Sequence, residues 1–220
     1  MIASISRTVL GVLLLPALAG FAFSFYEQLL AIHQVRKPEL LFLFGITIYL
    51  AFHVLVTAPN RAYVFGHEMM HAVAAWLTGG QVKGFKAGSK KGAVTTNKVT
   101  GVVALAPYLV PVYAILWALV YVIVGLFEDV EFLSGLFYLG LGAALTFHLV
   151  YTVLSLKQKQ TDLEVLGPLI SLNFILWGNI SFVILVIALM APEVGFWNYI
   201  KGGFLHAGEF YKLIFHQLFM

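Results

Sequence analysis

The segment His67-Glu68-Met69-Met70-His71 holds the residues of this chain best placed to do chemistry. On an α-helix, histidines at i and i+4 lie on one face a turn apart, so both imidazoles can reach one metal ion at about 2.0–2.1 Å. The glutamate between them points near the same place. A carboxylate beside a water on such a metal can take up a proton as general base and later hand it to a leaving amine. The pattern therefore encodes metal-assisted hydrolysis, with Glu68 as the catalytic base and His67 and His71 as ligands. Its neighbours, Tyr63-Val64-Phe65-Gly66 and Ala72-Val73-Ala74-Ala75-Trp76, are mostly apolar. Ionisable side chains in such a helix are costly unless paired or bound to metal, which favours function over coincidence.

Two imidazoles leave a catalytic zinc short of its usual three protein ligands. With no cysteine and two aspartates in the chain, the choice is narrow. Asp129 lies in the acidic loop Glu128-Asp129-Val130-Glu131, where a solvated charge is the natural reading. Asp162, in Lys157-Gln158-Lys159-Gln160-Thr161-Asp162, stands where the chain turns back into its last apolar run, and it is the expected third ligand. A helix N-cap at Thr161 or Asp162 is the structural alternative. His148, alone on an apolar stretch, is a further candidate as auxiliary ligand or hydrogen-bond donor, and His53 a weaker one. His33, His206 and His216 read as interfacial, and Asn173 and Asn179 as helix-to-helix hydrogen-bond formers. A set of two imidazoles and one carboxylate suits zinc, one ion per chain.

The elements that must hold these residues are those of a membrane protein. Over 220 residues, 61% are hydrophobic and 10% charged, far from the usage of soluble domains, so soluble enzyme folds are set aside. The absence of cysteine removes disulfides, thiolate metal sites and cysteine nucleophiles. Six apolar runs approach the roughly 20 residues a bilayer needs: Thr8 to Tyr26, Leu40 to Thr57, Ala62 to Leu77, Gly101 to Phe127, Phe132 to Leu156 and Leu163 to Met190. The expectation is an all-α polytopic membrane protein of about six transmembrane helices, its first run a retained helix rather than a cleaved signal. Between Gly79 and Thr100, the pieces Gln81 to Phe85 and Gly92 to Thr96 flank Ala87-Gly88-Ser89-Lys90-Lys91 and predict a β-hairpin. Residues 1–190 read as one membrane-embedded domain. Residues 191–220, with Trp197, Tyr199, Phe210 and Tyr211 among charged groups, read as an interfacial tail.

Orientation follows from the basic residues. Arg36, Lys37, Lys83, Lys86, Lys90, Lys91, Lys98, Lys157 and Lys159 fall on one side and only Arg7, Arg61, Lys201 and Lys212 on the other. The hairpin and motif side should face the cytoplasm, with both termini opposite. That use of the lysines accounts for the net charge of +3 without nucleic acid as a partner.

A Gly-His-Glu-x-x-His-Ala helix followed by Gly79-Gly80, a lysine-rich hairpin and a returning aspartate resembles the site-2 protease family, peptidase family M50, over roughly Tyr63 to Asn173. The resemblance implies a zinc enzyme that cleaves transmembrane segments of other proteins within the bilayer. It also implies that Gln81, Val82, Lys83, Gly84 and Phe85 present substrate as an added strand. The family's second signature, an aspartate followed by glycine, is absent, and Thr161-Asp162-Leu163-Glu164-Val165-Leu166-Gly167-Pro168 stands in its place. A prenyl-protein-type zinc protease would instead take Glu164 as ligand. The competing class is a non-catalytic membrane protein of the same fold, which would need the ligands but not Glu68.

Overall fold

The protein is described from a computed structural model covering residues 2–56, 59–89 and 91–220, with side chains described from residue 5 onward. Thr57, the expected end of the second run, and Lys90, one of the lysines counted for orientation, lie outside the described residues. The helices are α1 (Ile2–Leu13), α2 (Leu15–Leu30), α3 (Lys37–Leu55), α4 (Asn60–Leu77), α5 (Gly101–Leu109), α6 (Val112–Gly125), α7 (Ser134–Leu156), α8 (Pro168–Met190) and α9 (Phe196–Phe219). One hairpin, β1 (Val82–Ala87) and β2 (Gly92–Thr96), follows α4. The expected class therefore holds: a helical membrane protein with one small hairpin.

Among the described residues, four stretches are long and apolar enough to cross a bilayer: Ile5–Leu30, Lys37–Leu55, Glu131–Leu156 and Pro168–Met190; α5 and α6 together make a fifth if counted as one bent span. Three differences from the six expected runs have physical causes. Pro111 interrupts the run from Gly101 to Phe127, and Val110, preceding that proline, is extended, so α5 and α6 meet at 68°. The last run does not begin at Leu163, because residues 162–164 form a short 3-10 turn and α8 starts only at Pro168, after Gly167 at φ +100°. The motif helix α4 has span length but carries Asn60, Arg61, His67, Glu68 and His71, too polar a set to count among the spans.

The chain divides into two compact units, Arg36–Val165 and the pair of segments Met1–Val35 and Leu166–Met220. In Arg36–Val165, α3 and α7 pack through glycines. A Cβ at Gly45 would press on the Leu139 carbonyl, 2.9 Å from its carbon, and one at Gly142 would lie 3.0 Å from the Phe42 carbonyl carbon. Small residues let membrane helices approach in this way. Leu40, Leu43, Phe44 and Ile48 of α3 are exposed while Glu39 and Tyr49 are buried, the pattern of a helix bathed in lipid. Helix α4 ends in a Schellman turn: Gly79 at φ +78° donates to the Trp76 carbonyl at 2.9 Å and Gly80 to that of Ala75 at 2.7 Å. That turn launches the antiparallel hairpin, in which Ala87 faces Gly92 and Phe85 faces Val94. Its base is tied by Gln81 N–H to Asn97 Oδ1 at 2.7 Å.

The other unit builds its core from Phe21, Ile184, Ala191, Val194 and Tyr199. Ser24 donates to the Tyr199 carbonyl at 2.9 Å, tying α2 to α9, and Asn173 donates to the Gly11 carbonyl at 3.1 Å, tying α8 to α1.

Candidate metal centre

Helical spacing puts His67 and His71 on one face of α4, and the 3-10 turn after α7 brings Asp162 to them across 91 to 95 positions of sequence. Asp162 Oδ2 stands 3.6 Å from His67 Nε2 and 3.5 Å from His71 Nε2. One ligand atom from each residue lies within 4.8 Å of the others, and the three form a group able to hold a metal ion. Ligands about 2.0–2.1 Å from a tetrahedral ion are about 3.4 Å apart, so the two edges at Asp162 have a length such an ion could span.

Each ligand is also held from behind. The His71 Nδ1–H donates to the Val103 carbonyl at 2.8 Å. Nδ1 of His67 lies 3.1 Å from the Tyr63 hydroxyl, which in turn bonds Ser155. Tyr108 donates to Asp162 Oδ2 at 3.0 Å and sets its ring edge-on to His67. These partners fix the orientation of both rings and turn their Nε2 atoms toward the carboxylate. Burial alone would raise the Asp162 carboxyl, but the two imidazoles and the Tyr108 hydroxyl hold it well below the usual carboxylate range. It stays an anion, as a ligand must.

Glu68 is buried beside this group. A cleft of about 330 Å³ is lined by His67, Glu68, His71 and Asp162, by Gly92, Ala93, Val94 and Thr96 of β2, and by small apolar residues including Val99, Val103 and Ala104. A second opening of about 740 Å³ reaches His67 and Glu68 from a polar side bordered by Asn60, Ser155, Gln158, Gln160 and the lysines 91, 157 and 159. Gly92 lies where the two meet: a Cβ there would sit 2.6 Å from Glu68 Oε1.

The scan against families returns one described as Peptidase M50B-like, matching residues 40–112. Over that stretch, 73 of the 220 residues, the chain is similar to the M50 peptidase family. The matched stretch contains most of α3, all of α4, the hairpin and α5. No curated protein and no solved structure matches the chain.

The other candidates fall elsewhere. Glu164 faces Lys159 at 3.8 Å rather than the histidines. His148 is buried on α7 and borders a cavity of about 20 Å³ behind His67, with Tyr63, Met70 and Pro107. His53 pairs with Tyr49, and His206 lies between Glu27 and Glu209. Asp129 accepts from the Glu131 amide in its loop, and Asn179 bonds within its own helix. Gln81, Val82, Lys83, Gly84 and Phe85 line neither opening; Val82 packs on the cluster of Met70, Ala74 and Ala75, and Phe85 stacks edge-on against Phe65 of α4. Sequence reasoning passed over Tyr63, Tyr108, Val103 and Gly92. Tyr63 was legible, sitting four residues before His67 on the same helical face. Tyr108 was not, being 54 positions from the carboxylate it holds.

Proposed function

We propose that this chain is an intramembrane zinc metalloprotease that hydrolyses peptide bonds in or near transmembrane segments of other membrane proteins. The observation that carries the reading is the meeting of His67, His71 and Asp162 with Glu68 beside them on a helix flanked by apolar spans. His67, His71 and Asp162 would hold one zinc ion, which when bound supplies Lewis acidity toward a carbonyl and lowers the pKa of water. Glu68 takes the proton of the attacking water as its oxygen bonds to the scissile carbon. It then delivers that proton to the amide nitrogen as the C–N bond breaks.

The hairpin supplies substrate alignment in this reading. Consecutive residues of β2, pointing to both faces of the strand, line the cleft, which is how a strand meets a cavity edge-on. The β2 edge not paired with β1 can bond the backbone of an unwound substrate segment, a recognition mode that asks little of side chains. Gln81 to Phe85 then serve by holding β2 from its far side. Water enters by the polar opening, which lies with the hairpin on the cytoplasmic side, and both termini lie opposite.

The test is metal content and cleavage measured on the same preparations. Wild type should carry about one zinc per chain, lost in the His67→Ala, His71→Ala double variant and weakened in Asp162→Ala. Glu68→Gln should keep the metal and lose cleavage of a transmembrane reporter. Zinc in wild type without cleavage of any reporter would favour the non-catalytic relative. No zinc at all would overturn the reading.

A further inference from the structure

Helix α5 runs unbroken from Gly101 to Leu109 although Pro107 lies inside it. In an α-helix the Val103 carbonyl would accept from the amide four residues on, and that residue is the proline, which has no amide proton. Val103 is buried, and a buried carbonyl without a donor is costly. The donor it has is His71 Nδ1 at 2.8 Å. A carbonyl can only accept, so Nδ1 carries a proton, and in the neutral ring the lone pair is left to Nε2, the atom 3.5 Å from Asp162.

We propose that Pro107 is a positioning residue for the metal centre: by withholding an amide it reserves the Val103 carbonyl for His71, fixing that ring's rotation and tautomer. The proposal rests on the reading of His71 as a metal ligand. A residue with an amide at 107 would offer Val103 its helical hydrogen bond and compete with the imidazole for one oxygen. Bending the chain is a separate task. The 68° bend lies at Val110 and Pro111, beyond the end of α5, while the helix passes through Pro107 without interruption. Pro111 therefore provides the contrast: an amide there would seek the Pro107 carbonyl, which has no part in holding His71.

The experiment uses the full chain in detergent, as wild type, Pro107→Ala and Pro111→Ala. Zinc affinity is read by chelator competition, and the histidine rings by nitrogen NMR on metal-free protein labelled with 15N-histidine, at an alkaline pH where the rings are neutral. Pro107→Ala should bind zinc about tenfold to a hundredfold more weakly, the usual cost of losing a partner behind a metal-bound histidine. Its His71 signals should move from the Nδ1-protonated form toward a mixture, and Pro111→Ala should keep the wild-type ring signals. Folded Pro107→Ala protein with wild-type affinity and ring signals would overturn the proposal. If Pro107→Ala fails to fold, 13C-carbonyl-valine labelling decides: the Val103 resonance should shift in His71→Ala relative to wild type, and an unmoved resonance overturns the proposal. Wild type that binds no zinc would overturn the protease reading and with it the metal-positioning role, whereas zinc bound by wild type with unmoved ring and carbonyl signals would overturn the role of Pro107 alone.

Discussion

Gly92→Ala adds one methyl group where the hairpin touches the proposed catalytic base, and its effect can be worked from the coordinates. A Cβ at 92 presses first on Glu68 Cγ and lies 2.6 Å from its Oε1 and 2.8 Å from its Cδ, whereas unstrained contacts begin near about 3.5 Å. Glu68 or β2 must give way by roughly 1 Å. Misplacement on the scale of about 1 Å can lower turnover about a hundredfold, equivalent to about 2.7 kcal/mol of barrier. Alanine suits the backbone, since Gly92 is not among the glycines at positive φ, so the fold should survive. Nor does the new methyl have any of the three ligands among its nearest neighbours, so zinc should remain. The assay is single-turnover cleavage of a transmembrane reporter in reconstituted vesicles, with zinc measured on the same protein. Gly208→Ala, where a Cβ meets nothing within 4 Å, controls for reconstitution. Near-wild-type turnover with zinc bound would refute the placement of the base, and loss of zinc would show that the methyl disturbs the ligands instead.

Gly45→Ala should destabilise the protein by about 1–3 kcal/mol, because the new Cβ presses on the Leu139 carbonyl and α3 and α7 must separate; an unchanged denaturation midpoint would argue against glycine-mediated packing there. His206, held by Glu27 at 2.9 Å and by Glu209 at 3.3 Å, has its pKa raised by those carboxylates. Its stabilising contribution, about 0.5–1 kcal/mol, is full below the unfolded value near about 6.5 and lost as pH rises through the raised folded value. Unfolding curves of His206→Gln against wild type should converge at high pH, and a constant gap would refute this. Tyr63→Phe and Tyr108→Phe should each weaken zinc binding by about tenfold or more, and their combined loss should depart from the sum because Tyr108 touches both Asp162 and His67; additive losses would mean the two braces act independently.

What the sequence disclosed was set by local spacing. The four residues separating His67 from His71, the alternation and turn residues of the hairpin, and the length of the apolar runs are short-range signals, and each reappears in the structure as α4, β1–β2 and the spans. Asp162 was reachable because an aspartate on an otherwise polar turn between apolar runs had few rivals in a chain with two aspartates. The break between α5 and α6 was written in Pro111, but apolar content alone hid it, since hydropathy registers neither a missing amide nor the extended residue before a proline. The facing strand was hidden too. Nothing in Gln81 to Thr96 tells which of two paired strands turns toward the ligands, because that depends on how the Schellman turn at Gly79 aims the hairpin over α4.

The polarity of α4 explains why its neighbours take the form they do. A helix with two histidines, a glutamate and an asparagine gains little from lipid, so every polar group on it that is buried needs a partner from protein. Helix α7 answers Asn60 and Tyr63 with Tyr151 and Ser155, and α5 answers His71 with a carbonyl and Asp162 with Tyr108. Leaving one such group unsatisfied costs about 1–3 kcal/mol, so these contacts select a single arrangement of the ligands in the bare protein. The same contacts that make a polar helix tolerable in the membrane unit thus orient two imidazoles and a carboxylate around one point, and the stability of α4 and the readiness of the centre for a metal ion have a common cause.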